Sequence, residues 1–235
     1  MRLTFDFEIS PTTIPKNYNR GFISLIKYLI QSKSELLYHY YYDKKRLKPF
    51  TFSVYFPQLN GMDSDKINAG NIAYLNFSSS DLFLLSSIYN SFREIKEHRW
   101  QQNGNEIYFK PIKVKLNPHK KINKDIATFK TLSPVLINNI GDSHKFLLPG
   151  EDGFIEGLEF AVRQCAKEFL NYEEKFPLEF EIGKWGREVV YVYQKMPSVN
   201  GIFVIKSLPE ILQMIYDIGL GVHRSQGFGM LEVIK

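Results

Sequence analysis

Strand-like and helix-like segments follow one another in a defined order through the first half of the chain, and this order restricts the fold most strongly. Residues 2–9 alternate between apolar and polar side chains, which predicts a half-buried strand. Apolar residues then recur at helical spacing through residues 20–31. The remaining segments predicted in this half are a short helix capped by Ser34, strands over 48–56 and 71–77, a helix that opens with the serines at 78–80 and runs to about Arg93, and a strand over 105–116. This βαββαβ order is the ferredoxin-like (RRM-like) motif.

A weaker version of the same order recurs in the second half. The segments predicted there are a strand over 129–137, a helix over 154–170, two strands within 178–193 around a turn at Gly183–Gly186, a strand over 201–206, a helix over 207–219 and a last strand over 228–234. We therefore predict an α+β fold with two tandem ferredoxin-like domains. The first is expected over residues 1–120 and the second over residues 121–235, with a glycine-rich loop at 219–229.

The composition excludes several classes of protein. The single cysteine, Cys165, argues against a disulfide framework and a thiolate metal site, which fits a reducing cytoplasm. The first ten residues carry charges and lack an apolar stretch, so we expect no secretory signal, and no apolar run is long enough to predict a membrane span. Lys and Arg number 30 against 25 Asp and Glu, and the pI is near 9.0, which favours a polyanionic partner without requiring one.

The loop at 219–229 concentrates four glycines around a histidine and an arginine. Gly219 is well placed to end the preceding helix with a positive φ. The sequence is not a phosphate-binding P-loop, because no Gly-Lys-Ser/Thr is present, and a strand rather than a helix follows the loop, unlike a dinucleotide fingerprint. Two interpretations stay open: a main chain that binds anions through its amides, or a tight connection packed against the sheet.

The loop has the form G-x-G-x-x-R-x-x-G-F-G and ends a chain with two expected ferredoxin-like domains. It resembles the C-terminal motif of the CRISPR-associated pre-crRNA endoribonucleases of the repeat-associated RNA-binding superfamily. Three further segments are similar to the pattern of that family, in the same order: "IPKNY" at 14–18, "KPFTFS" at 48–53 and "FKTLSPVLI" at 129–137. The resemblance therefore spans nearly the whole chain.

The resemblance implies cleavage of CRISPR repeat RNA without metal or cofactor. The ribose 2′-OH would attack the adjacent phosphate and leave a 2′,3′-cyclic phosphate and a 5′-OH. Such a reaction needs a base near the 2′-OH, an acid near the leaving 5′-oxygen, and cations beside the developing charge.

The family places a histidine between the first helix and the strand at 48–53, and His39 alone lies in that window. We expect His39 to act as base or acid, although a solvated helix histidine paired with Glu35 is the plain alternative. The resemblance assigns Lys48 to the phosphate. Where the family often has a tyrosine, this chain has Lys27, with Tyr28 beside it. Tyr42 would match a shorter spacing to Lys48 than His39 does.

Cationic and aromatic residues outline where RNA would lie. Lys113 and Lys115 alternate on one predicted strand, and more lysines follow in the connection between the domains. An expected hairpin tip at 183–188 presents an exposed tryptophan between two cations, which suits base stacking. The residues predicted to contact RNA are Gly219, Gly221, His223, Arg224, Gly227, Gly229, Lys113, Lys115, Lys120, Lys121, Lys184, Trp185 and Arg187.

Two functions of different class fit these features. The first is a repeat-cleaving endoribonuclease that matures crRNA in the cytoplasm. The second is a non-catalytic RNA-binding subunit of a CRISPR effector complex. The sequence leaves both a monomer and a homodimer open.

Overall fold

The computed structural model describes residues 1–142, 144–191 and 195–234. The elements of the first half are β1 (Arg2–Ser10), β2 (Thr13–Pro15), α1 (Asn19–Gln31), α2 (Glu35–Tyr42), β3 (Phe50–Tyr55), β4 (Gly61–Met62), β5 (Lys66–Asn68), β6 (Ile72–Ser79), α3 (Leu82–Glu94), β7 (His98–Gln102) and β8 (Asn105–Asn117). Those of the second half are β9 (Ile126–Thr131), α4 (Phe154–Leu170), β10 (Leu178–Tyr191), β11 (Lys195–Ser207), α5 (Pro209–Ile218), a 3-10 turn (Arg224–Gln226) and β12 (Leu231–Val233).

The order of strands in the two main sheets confirms the predicted fold class. The first sheet runs β3-β6-β1-β8-β7 and the second runs β10-β11-β9-β12. In both, the first strand lies between the third and the last strand of the motif, which is the ferredoxin-like arrangement. The edge strand β7 and a small sheet, β2-β5-β4, are additions that the sequence analysis did not predict. The expected domain boundary at 120/121 falls in the connection between β8 and β9.

The helices α2 and α3 begin at a residue whose side chain accepts hydrogen bonds from their first amides. The hydroxyl of Ser34 accepts from the Leu37 amide at the start of α2, as predicted. At α3 the cap is Asp81, not a serine: its carboxylate accepts from Phe83 and Leu84 at 2.8 and 3.0 Å. In α5, Pro209 occupies the first turn. Within the described part of the chain, no helix has both the length and the apolar character needed to cross a membrane.

The predicted turn at Gly183–Gly186 is wrong. Residues 178–191 form one strand, β10, which pairs with β11 from end to end. The register shifts between Ile182 and Trp185, so Gly183 and Lys184 together oppose one residue of β11. This arrangement is a β-bulge, in which glycine accommodates the extra residue without reversing the chain. The last residues of the predicted segment, 192–193, lie outside the described residues.

The strand predicted over 129–137 is also shorter than expected. The strand β9 ends at Thr131, because Pro134 has no amide to continue the ladder. Val135 makes only an isolated bridge to Val199. The segment 133–137 instead supplies backbone partners to the glycine-rich loop: the Gly229 amide donates to the Pro134 carbonyl, and the Val222 amide donates to the Leu136 carbonyl.

The two halves dock through the open face of the first sheet. The helix α5 of the second half lies against β3 and β6, and the side chain of Arg2 on β1 reaches both α5 and β12. Arg2 is 3% exposed, and its guanidinium donates to the carbonyls of Tyr216 (2.6 Å) and Leu231 (2.5 Å) and to the Glu232 carboxylate (3.0 Å). Its carbon Cζ also lies 3.6 Å from the centroid of the Tyr216 ring. One buried cation on β1 of the first sheet therefore contacts both the helix α5 and the strand β12 of the second half.

Further contacts extend this interface on both sides of Arg2. The hydroxyl of Ser78 donates to the Asp217 carbonyl, and the hydroxyl of Thr51 donates to the Phe228 carbonyl, both at 2.7 Å. In addition, the ribbon formed by β10 and β11 reaches the other half of the molecule, where Met196 is buried in the first hydrophobic core and Val190 packs against it. The relative position of the two sheets is thus held by buried polar and apolar contacts together.

We expect Arg2→Met to lower the free energy of unfolding by about 2–4 kcal/mol, because the methionine would leave two buried carbonyls and Glu232 without their donor. Urea denaturation monitored by circular dichroism measures this change. Arg93→Met is the matched control, since Arg93 is exposed and its Cζ lies 5.9 Å from the Tyr89 ring centroid. A loss for Arg2→Met no larger than the control's would show that Arg2 does not hold the interface.

Candidate functional site

A cleft of about 350 Å³ opens between the two halves. One wall is the segment 45–48, which connects α2 to β3, and the other is the loop 221–226. The helix α4 closes the third side with Phe160, Ala161 and Gln164. We call this space the interdomain cleft. Its charged lining residues are cationic: Lys45, Arg46, Lys48 and Arg224.

Beside the cleft, two lysines approach one tyrosine ring, and we call this group the lysine–tyrosine cluster. The Nζ atoms of Lys27 and Lys48 lie 5.0 and 4.8 Å from the centroid of the Tyr42 ring. Burial lowers the pKa of Lys48, and the charges of Lys27 and Arg46 lower it further. Burial also raises the pKa of Tyr42, so its phenol keeps its proton. An anion beside Lys48 would relieve the repulsion among these cations.

His39 lies outside this cluster and does not line the interdomain cleft. It sits on the exposed side of α2, where its Nδ1 faces the Asp43 carboxylate at 2.9–3.0 Å. The hydrogen bond to Asp43 raises the pKa of His39. Its ring contacts Tyr38, which in turn packs on Tyr42. The histidine pairs with Asp43 rather than with Glu35, and Tyr42 is the residue of α2 that meets Lys48.

Tyr28 points away from the lysine–tyrosine cluster. Its ring lies 4.9 Å from the ring of His98 on β7, and its side chain is 41% exposed. Successive residues of a helix point about 100° apart, so Lys27 and Tyr28 cannot serve the same site. His98 also contacts the Ser24 hydroxyl, and burial lowers the pKa of His98.

The four glycines of the loop 219–229 lie close to other parts of the protein, as expected for a tight connection packed within the fold. All four glycines have positive φ values, between 70° at Gly229 and 92° at Gly227. A Cβ at Gly229 would lie 1.9 Å from the Leu220 carbonyl oxygen, and one at Gly221 would lie 2.4 Å from the Leu136 carbonyl oxygen. At Gly219 and Gly227 the nearest atoms belong to Gly229 and Phe52. The glycines permit backbone to pack on backbone within the protein.

The two cationic side chains of the loop have different surroundings. Arg224 is 6% exposed and donates to the Gly221 carbonyl at 3.0 Å, so it holds the loop together from inside. His223 is exposed to the cleft and adopts a left-handed conformation with φ at 55°. Its ring centroid lies 6.0 Å from that of Phe146. Burial by the surrounding protein lowers the pKa of His223, and a contact with Gln226 raises it to a smaller extent.

The lysines predicted to follow RNA are exposed, on β8 and in the connection that follows it. Lys113 and Lys115 on β8 project from the sheet beside the buried Asp6 carboxylate, at 3.4 and 3.8 Å. Lys120 pairs with Glu232 at 2.5 Å and donates to the Val233 carbonyl, and Lys121 is exposed. Part of this positive charge is therefore already balanced by the protein.

The residues predicted for a hairpin tip lie in the middle of β10 instead. Lys184, Trp185 and Arg187 are all exposed, and the side chain of Trp185 is 42% exposed. The bulge at Gly183 and Lys184 turns this stretch of the strand without reversing it. The structure thus has the predicted exposed indole of Trp185 between two cations, but it lacks the predicted turn.

Sequence reasoning missed the contribution of α4 to the cleft. Phe160 and Gln164 are one helical turn apart, and Phe160 is 49% exposed on an otherwise amphipathic helix. That exposed aromatic side chain was the available signal.

Comparison with known proteins agrees with the observed fold. Residues 116–233, half of the chain, match the family described as "CRISPR associated protein Cas6, C-terminal". A search of curated protein sequences found no match. Among solved structures, a CRISPR-associated Cas6 protein covers 100% of this chain and 99% of its own at a TM-score of 0.78 and 22% identity.

Two other structures align over nearly their full length. A Cas6-related protein from Pyrococcus furiosus gives a TM-score of 0.84 at 19% identity, covering 100% of this chain and 98% of its own. A RAMP protein that binds different RNA substrates gives 0.82 at 20% identity, covering 100% of both chains. At these identities the likeness concerns the fold, and it agrees with the tandem ferredoxin-like architecture.

We expect Gly229→Ala to destabilise the protein by about 3 kcal/mol or more, because the methyl group would collide with the Leu220 carbonyl at a positive φ. The free energy of unfolding in urea measures this. Gly104→Ala is the matched control, since Gly104 also has a positive φ, 73°, but no atom lies within 4 Å of its added Cβ. Equal losses in the two variants, each about 1 kcal/mol from the backbone alone, would contradict the packing of the loop.

Proposed function

This chain belongs to the Cas6 family of CRISPR-associated proteins, and from that premise we propose that it binds CRISPR repeat RNA and cleaves it to mature crRNA. In this proposal cleavage needs no metal: the ribose 2′-OH attacks the adjacent phosphate and yields a 2′,3′-cyclic phosphate and a 5′-OH. The observation that carries the proposal is the lysine–tyrosine cluster at the edge of the interdomain cleft.

Three features of the cluster suit a phosphate that gains charge during the reaction. The ammonium groups of Lys27 and Lys48 lie about 5 Å from the same ring, and in this proposal one phosphate contacts both. Burial strengthens their interaction with an anion, because the surrounding dielectric is low. The protonated Tyr42 hydroxyl can donate a hydrogen bond to a phosphate oxygen.

His39 is not part of this proposed phosphate site. It pairs with Asp43 on the solvent side of α2, and its ring contacts Tyr38, which also packs on Tyr42. Tyr28 is likewise outside the site, against His98. The proposed charge-stabilising groups are therefore Lys27, Tyr42 and Lys48.

We propose that the RNA reaches this site along the exposed cations. Lys113 and Lys115 would contact phosphates, and Lys120 and Lys121 would continue the path beyond β8. Trp185 would stack on a base between Lys184 and Arg187. Because such contacts release counterions, the affinity for RNA would fall steeply with added salt. A cytoplasmic location, where the RNA is made, belongs to the same proposal.

One observation favours a second candidate, a non-catalytic RNA-binding subunit of a CRISPR effector complex. The histidine that the family pattern supplies to the reaction lies away from the lysines here, at His39. A protein with the cationic path but without a suitably placed base would bind repeat RNA and leave it intact.

The two candidates are separated with end-labelled RNA that carries one CRISPR repeat from the same genome, incubated with the protein in EDTA. We expect a discrete product with a 2′,3′-cyclic phosphate and none from RNA with a 2′-deoxyribose at the cleaved nucleotide. A gel shift without any product from the unmodified RNA would favour the binding subunit instead.

We expect Lys48→Met to slow single-turnover cleavage by about 100-fold or more, because the developing charge on the phosphate would lose a partly buried cation. Lys44→Met is the control, since Lys44 is exposed on the neighbouring turn and does not line the cleft. If both variants cleave at rates within about threefold of the wild type, Lys48 is not in the active site.

A further inference from the structure

The loop 221–226 carries the histidine that does line the interdomain cleft. His223 faces the segment 45–48 across a space of about 350 Å³, and that segment includes Lys48 of the lysine–tyrosine cluster. The other predicted histidine, His39, lines no part of this cleft. We infer that the imidazole of His223 takes the proton from the attacking 2′-hydroxyl, an assignment that rests on the proposed RNA cleavage.

The loop holds His223 in one defined position. The residue has a left-handed backbone, φ 55°, which a histidine adopts at some cost. Its carbonyl accepts from the Gln226 amide at 2.8 Å, and the preceding amide, of Val222, donates to the Leu136 carbonyl at 2.9 Å. The ring rests near Phe146. These contacts fix the direction in which the imidazole leaves the loop, as a proton acceptor in catalysis requires.

Burial favours the neutral form of His223, the form that accepts a proton, because it lowers the pKa of the imidazole more than the contact with Gln226 raises it. The charged groups that line the cleft opposite it are Lys45, Arg46 and Lys48 from the first half, and Arg224 lies beside it on its own loop. The helix α4 contributes Phe160, Ala161 and Gln164 and no carboxylate to the lining. His39 is in the opposite situation, because Asp43 stabilises its imidazolium and so reduces its availability as a base.

The proposed step is balanced without any further reactant. The 2′-oxygen forms a bond to phosphorus as its proton passes to an imidazole nitrogen of His223, and the bond from phosphorus to the 5′-oxygen breaks. The 5′-oxygen takes a proton from the Lys48 ammonium, which burial and neighbouring cations have made a stronger acid than an ordinary lysine. Exchange with water then returns the imidazolium and the amine to their starting forms.

This assignment gives each half of the molecule one proton-transferring group. Lys48 belongs to the first half and His223 to the second, so the reaction requires the two halves to be docked. The glycines of the loop act here through structure: they allow the close backbone packing that carries His223 to the cleft.

The experiment compares two substitutions that fit a left-handed backbone, His223→Asn and His223→Gly. The probe is the same end-labelled repeat RNA in EDTA, and single-turnover rates are measured. We expect both variants to cleave about 100-fold more slowly or worse, the usual contribution of a general base. Their affinity for the uncleavable 2′-deoxy RNA should stay within about threefold of the wild type. Adding free imidazole should increase the cleavage rate of His223→Gly by at least about tenfold.

The dependence of the rate on pH provides a second readout. A base must be unprotonated, so the wild-type rate should rise with pH and level off once His223 has lost its proton. Because the surroundings lower the pKa of His223, this levelling should occur below the ordinary histidine pKa of about 6.5. His223→Asn should lack this rise. His144→Asn, which changes an exposed histidine outside the cleft lining, should retain it.

Each result decides between distinct conclusions. If the wild type and His223→Asn cleave equally fast, the assignment of His223 is refuted while the proposed cleavage stands. The same conclusion follows if His39→Asn loses activity and His223→Asn does not. A loss of rate matched by an equal loss of RNA affinity, without rescue by imidazole, would assign His223 to binding rather than proton transfer. No product from the wild type would refute the proposed cleavage itself, and this assignment with it.

Discussion

The buried guanidinium of Arg2 is the interaction on which the arrangement of the two halves depends. It enters the second half at the end of α5 and at β12, where two main-chain carbonyls and a carboxylate surround it. A charge removed from water in this way is stable only while it is paired and hydrogen-bonded, so the position of α5 relative to the first sheet has little freedom. The interdomain cleft follows from that position, because its walls belong to different halves.

The glycine-rich loop adds a second constraint of a different kind. Gly229 and Gly221 bring main chain within reach of the carbonyls of Leu220 and Leu136, where any side chain would collide. The Thr51 hydroxyl then ties this packed loop to the first sheet through the Phe228 carbonyl. Main-chain packing therefore acts together with the docking at Arg2 to place His223 opposite the segment 45–48. The buried Arg224 contributes to the same packing from within the loop.

Much of the fold was predictable because its signals are local. The alternation at 2–9, the cap at Ser34 and the helices predicted over 154–170 and 207–219 depend on neighbours in the chain. The structure confirms them, with the last helix running over Pro209–Ile218. The errors concern non-local pairing. Gly183 and Gly186 have the composition of a turn, but the equal length of β11 keeps the chain extended and absorbs the extra residue as a bulge.

The candidate site shows the same limit. Lys27 and Lys48 could be paired from the family pattern, and Tyr42 from its spacing, but only the packing of α2 shows that its exposed face carries His39 away from them. The surroundings of the glycines were equally inaccessible, because they include segments more than 70 residues away, at 51–52 and 133–137.

The ribbon of β10 and β11 has a consequence for how such proteins can evolve. Because Met196 and Val190 of the ribbon contribute to the hydrophobic core of the opposite half, the halves have not stayed interchangeable modules. Recombination between relatives could preserve both folds and still produce a chimera whose halves do not fit. We therefore expect the two halves to be inherited together because they share a core, whatever RNA sequence the protein binds.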